Sequence, residues 1–67
     1  MEHRIRQIIN EIFSDLQQAC ADAGEPLCAE GLTDCLEDRM CDENKEYRAM
    51  PWEKRRAMTL RIAREYV

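Results

Sequence analysis

Along the first third of the chain the apolar residues Ile5, Ile8, Ile9, Ile12, Leu16, Cys20 and Ala23 recur at steps of three and four, which gathers them into one stripe of a helix. Phe13 lies at the edge of that stripe and widens it, while Arg4, Arg6, Glu11, Asp15, Gln18 and Asp22 fall outside it. Gly24 supplies the left-handed residue that ends many helices, and Pro26 follows where a helix cannot simply run on. The pattern predicts a first helix over residues 2–23, about 30 Å long at 1.5 Å per residue.

Pro26 suits the first turn of a second helix, where a missing N–H has no intrahelical partner to lose. From there Cys28, Leu32, Cys35, Leu36 and Met40 make the next apolar stripe, with Glu30, Asp34, Glu37, Asp38 and Arg39 toward the other side. The prediction is a helix over residues 26–41. The run DENKEY is polar and aperiodic and reads as a linker, with a frayed continuation of the second helix as the alternative. Pro51 and Glu53 then mark the start of a third helix, predicted over residues 51–66. Trp52, Leu60, Ala63, Tyr66 and Val67 share its broad apolar sector, with Met58 and Ile62 at the border. Trp52 is expected to anchor this helix to the hairpin, a burial whose loss would cost about 3–5 kcal/mol. No β-branched run alternates with period two, so no strand is predicted. The predicted fold is all-α: a two-helix hairpin plus a third C-terminal helix, forming one small helical bundle over residues 1–67.

Length sharpens this picture. A chain of 67 residues buries a smaller share of its surface than a larger domain and has little net stability to draw on. Its stripe of Ile5, Ile8, Ile9, Ile12, Phe13 and Leu16 is longer than helix two alone can cover. The chain is therefore expected to be a homodimer that buries the stripe in a two-fold interface, the commonest kind, with an ordinary intramolecular core as the alternative. The segment MEHRIRQIINEIF begins with charges as an export leader does, but Gln7, Asn10 and Glu11 interrupt its apolar residues. No apolar run approaches the roughly 20 residues needed to span a bilayer. The expected setting is therefore cytoplasmic, without membrane contact and with reduced thiols.

Charge is unevenly spread beneath the net value of −4. Residues 1–24 hold four acids against two arginines, residues 25–46 eight acids against Arg39 and Lys45, and residues 47–67 six bases against two acids. The segments carry −2, −6 and +4, so the acidic second helix and the basic third helix are candidates to lie side by side.

The four cysteines, Cys20, Cys28, Cys35 and Cys41, are separated by eight, seven and six positions. Structural zinc sites bring ligands in close pairs two to four residues apart, a spacing absent here. Cys28 and Cys35 on one helix would stand about 10 Å apart along its axis, beyond the roughly 7 Å between Cα atoms that a disulfide spans. Cys20 and Cys28 flank the turn and could meet across a helical hairpin, and Cys41 could reach another chain or the third segment. A small domain stabilised by a disulfide or zinc is thus one alternative. The favoured reading is that the thiols pack as small hydrophobes, with Cys20, Cys28 and Cys35 in the apolar stripes and Cys41 the most exposed.

Nothing in this pattern indicates an enzyme or a cofactor. A cysteine nucleophile needs a neighbouring base, and the only histidine is His3. With glycine at positions 24 and 31 alone there is no phosphate-cradling loop. The expectation is a small non-catalytic, regulatory module that binds another protein through the acidic face of Glu30, Asp34, Glu37 and Asp38 or through the apolar stripe. Small acidic helical chains of this kind suit accessory proteins of phages and other mobile elements, an impression from size and composition alone. The alternative partner is nucleic acid, contacted by Lys54, Arg55, Arg56, Arg61 and Arg64 of the third helix.

Overall fold

The computed structural model describes all 67 residues as four helices without strands: α1 (Glu2–Ala23), α2 (Ala29–Glu43), α3 (Lys45–Ala49) and α4 (Trp52–Ala63). The all-α bundle expected from periodicity is the fold. α1 runs nearly the full 35 Å length of the molecule, whose other dimensions are 20 and 18 Å. It ends as Gly24 turns left-handed with φ 76°. The Gly24 N–H donates to the Ala21 carbonyl and the Glu25 N–H to the Cys20 carbonyl, which satisfies two of the carbonyls that a helix end otherwise leaves without partners.

α2 begins three residues later than its proline suggests. Cys28, extended at φ −115° and ψ 161°, occupies the cap position, and its Sγ accepts from the Gly31 N–H at 3.3 Å. A side-chain acceptor at that position does for the first turn what Ser or Asp more often does, so Pro26 is left in the connecting turn. The segment read as a linker contains α3. The Asn44 side chain caps it by accepting from the Tyr47 N–H at 2.9 Å, and this one turn delivers Tyr47 into the core.

The core consists of Ile5, Ile8 and Ile9 from α1, Leu32, Leu36 and Met40 from α2, Tyr47 from α3, and Ile62 and Ala63 from α4, all without solvent exposure. Ile12, Phe13 and Leu16 pack against it partly buried. α2 lies at the centre, packed against the other three helices and most extensively against α4. The isoleucine stripe is thus covered within one chain by α2 and α4, and burying its first half does not require a second copy.

Two expectations about burial are corrected. Trp52 is 56% exposed and anchors nothing in the core. The inward line of α4 is Thr59, Ile62 and Ala63, and Trp52 stands two turns before it, with the Arg56 guanidinium 5.9 Å from its ring centroid. Trp52→Ala should therefore lower stability by less than about 1 kcal/mol, and a melting curve displaced as far as that of a core truncation would contradict this placement. Among the thiols, Cys28 and Cys35 are exposed, whereas Cys41 is partly buried against the core. The buried line of α2 is Leu32, Thr33, Leu36 and Met40, and Cys35 lies on its flank.

Ion pairs fasten the helices at their outer edges. Arg4 of α1 grips Glu43 of α2 through two bonds of 2.6 and 3.1 Å, Arg6 pairs with Glu65, Arg61 of α4 reaches Glu2 at 2.9 Å, and Arg39 of α2 reaches Glu11 at 3.2 Å. The bonds from Arg4 and Arg6 hold the Glu43 and Glu65 carboxyls below their ordinary value of 4.5. A carboxyl whose pKa is lower folded than unfolded contributes stability that is present above the unfolded value and is lost as pH falls through the folded one. The melting temperature should therefore drop as pH is taken below about 4.5. The double variant Glu43→Gln, Glu65→Gln should flatten that decline, as thermal melts across the acid range would record.

Candidate interaction surface

At the tip of the α1–α2 hairpin the core opens into a groove of about 400 Å³. Its first wall is one face of α1, carrying Phe13, Gln17 and Cys20, and its second is the connecting turn with Glu25 and Leu27. Tyr66 and Val67, after the end of α4, close the third side. The spacing of four and three between Phe13, Gln17 and Cys20 puts them on a common helical face. The Phe13 and Tyr66 rings meet edge to face with centroids 6.0 Å apart and planes inclined at 62°, a favourable aromatic geometry. Most of the lining is apolar, and Leu27 belongs to neither flanking helix.

The hairpin side of this groove carries acids only, whereas on its third side Arg64 lies two residues before Tyr66. From Gln7 to Asp38 the chain contains no lysine, arginine or histidine but eight acids: Glu11, Asp15, Asp22, Glu25, Glu30, Asp34, Glu37 and Asp38. Arginines from elsewhere neutralise three of them. Glu11 is met by Arg39 and Arg4, and Asp34 and Glu37 by Arg56 at 2.8 and 3.6 Å. Asp15, Asp22, Glu25, Glu30 and Asp38 form no ion pair; Asp22 accepts a hydrogen bond from Gln18 at 2.9 Å.

The acidic face expected on α2 is accordingly divided. Glu30 and Asp38 are exposed and free of partners, but Asp34 is bonded to Arg56, and Glu37 is folded inward with only 15% of its side chain exposed. Its Oε1 is buried without a hydrogen bond, the Arg56 guanidinium lying beyond bonding distance. The expected juxtaposition of acidic α2 and basic α4 occurs inside the chain, and Arg56 is its contact.

That contact also thins the cationic row. Arg56 is held by Asp34 and Glu37, Arg61 by Glu2, and Arg55 turns back over the Tyr47 ring and toward the Arg48 and Met50 carbonyls. Lys54 and Arg64 alone of the five are exposed and without an acidic partner. The helix does not present a continuous row of free cations for phosphates.

All four thiols are free, and no three His, Cys, Asp or Glu side chains converge in a way that would hold a metal ion. Burial, followed by the charges of Asp34 and Asp38 and the neighbouring Cys20, raises the Cys35 thiol above its ordinary value of 9.0. Cys35 thus stays protonated at neutral pH despite its exposure, which makes it a poor nucleophile.

The groove joins residues that periodicity kept apart. Phe13 registers in the sequence as the edge of a stripe and Tyr66 as part of another helix, while Leu27 belongs to no stripe at all. The signal that was available is the 32-residue run without a cation, which charge counts divided near Gly24 and Glu46 conceal. No protein-family model matches the chain, and neither a curated protein nor a solved structure is significantly similar to it. No helix is long and apolar enough to cross a membrane.

Proposed function

We propose that the protein is a non-catalytic interaction module that docks a segment of another protein in the groove at its hairpin tip. The observation that supports this is the groove itself: the half-buried side chains of Phe13, Leu27 and Tyr66 gather apolar surface in one concave place. Such concave apolar sites with a few polar groups at the edge are the usual form of a recognition pocket, and aromatic side chains are the usual anchors of an interface. The bundle beneath it is a rigid support, because the same α1 that walls the groove is fixed by Ile5, Ile8 and Ile9 in the core.

Binding to nucleic acid is the weaker reading, since three of the five arginine and lysine side chains it would use are engaged within the chain. Burying Ile5, Ile8 and Ile9 likewise needs no second copy.

Position-dependent cross-linking tests the proposal. A photoreactive benzophenone side chain at Gln17, inside the groove, should yield a covalent adduct with a partner protein in the cells that express the chain. The same group at Lys54 should not, and Leu27→Asp should abolish the Gln17 adduct while helical circular dichroism is retained. Equal adducts from both positions, or none at Gln17, would count against the groove as the docking site.

A further inference from the structure

We infer that the occupant of the groove is a cationic segment of a different protein, one that inserts bulky apolar side chains between Phe13, Leu27 and Tyr66 and sets lysine or arginine beside Asp22 and Glu25. The inference rests on the docking reading above and adds the chemistry of the partner. Asp22 and Glu25 flank the left-handed turn at Gly24, Glu25 lines the groove, and neither has an ion-pair partner in the chain. With no cation of the chain beside either carboxylate, a lysine or arginine of an occupant is attracted to both. Asp15, Glu30 and Asp38, also without ion-pair partners, give the hairpin further charge of the same sign, which attracts a positively charged segment to that side of the groove.

The same charges exclude other occupants. A two-fold pairing centred on the groove puts the same patch on both sides and brings the Asp22 and Glu25 carboxylates of the two copies near one another. A nucleic acid or an acidic peptide meets the same repulsion. A neutral apolar segment would fit the shape but leave the charge without a role.

Selection from a displayed library of random peptides, followed by fluorescence anisotropy on the enriched sequences, tests this. Enriched peptides should carry lysine or arginine around at least two bulky apolar residues. Their affinity should fall about tenfold or more between about 50 and about 300 mM NaCl. Leu27→Asp should weaken binding about tenfold or more by removing an apolar contact from the groove. The double variant Asp22→Lys, Glu25→Lys, both exposed positions, should weaken it comparably, with an unchanged helical spectrum showing that the fold is intact. Peptides that bind with no cationic bias and no salt dependence, yet are lost with Leu27→Asp, would overturn the cationic partner and leave the docking groove standing. If nothing enriched depends on Leu27, the groove reading itself fails.

Discussion

Replacing Tyr47 by alanine should unfold the protein. Tyr47 is the largest fully buried side chain, and it arrives in the core from a five-residue helix held by one Asn44 cap. Its hydroxyl lies 2.7 Å from Thr59 Oγ1. The Thr59 hydroxyl proton is directed to the Arg55 carbonyl at 2.9 Å, so the tyrosine is the donor and the threonine oxygen the acceptor. Truncation of a buried aromatic ring to alanine costs about 3–5 kcal/mol. A single core in a chain this short supplies about 3–5 kcal/mol in total, so the alanine variant retains little or nothing. Tyr47→Phe separates the two contributions: the ring stays, Thr59 keeps its bond to the Arg55 carbonyl, and only the tyrosine bond is lost, for about 0.5–1.5 kcal/mol. Urea unfolding followed by circular dichroism should rank wild type, Tyr47→Phe and then Tyr47→Ala, the last without a cooperative transition. If the alanine variant melted beside the phenylalanine one, α3 would not belong to the cooperative unit.

The contrast between Tyr47 and Trp52 shows what the sequence can and cannot convey. Periodicity finds a long helix with a continuous apolar stripe and a glycine to stop it, which is why α1 ends at Ala23 as the stripe and Gly24 predict. It fails for α3, because five residues hold too little pattern to register a period and the cue was a single capping asparagine. It misplaces Trp52 because periodicity gives a direction around the axis and no measure of where along the axis the neighbouring helix stops. Thr59 and Ile62 lie toward the same side as Trp52 and meet α2 and α3, whereas at the level of Trp52 the ring finds an arginine instead. The groove was illegible for a related reason. Phe13, Leu27 and Tyr66 come from three segments, and only the closure of the hairpin and the return of the chain after α4 bring them together. The acids of the hairpin were legible, but their pairing state was not: only the fold shows that Asp34 and Glu37 meet Arg56 while Asp22 and Glu25 meet no cation.

One substitution placed at two points separates the fold from the docking surface. Ile9→Asp should abolish folding, since Ile9 has no exposure and is surrounded by Ile5, Ile8 and the apolar side of α2 and α4. A carboxylate there has no partner, and burying it or protonating it costs several kcal/mol beyond the loss of the isoleucine contacts. Leu27→Asp makes the same change of chemistry in a half-buried position of the turn, outside every helix, where the new carboxylate can reach water. The lost burial is worth about 1 kcal/mol, so the variant should remain helical with a modestly lower melting temperature. Proton NMR spectra provide the readout: collapsed amide dispersion for Ile9→Asp and native-like dispersion for Leu27→Asp. A folded Ile9→Asp would mean that the isoleucine stripe is not the centre of this chain's own core, and would restore a second copy as the element that covers it. If Leu27→Asp also collapsed, the groove would be part of the core, and loss of binding in that variant would say nothing about docking. The expected divergence makes Leu27 usable as a probe, because a defect in partner binding can then be assigned to the surface of the hairpin tip and not to the bundle that supports it.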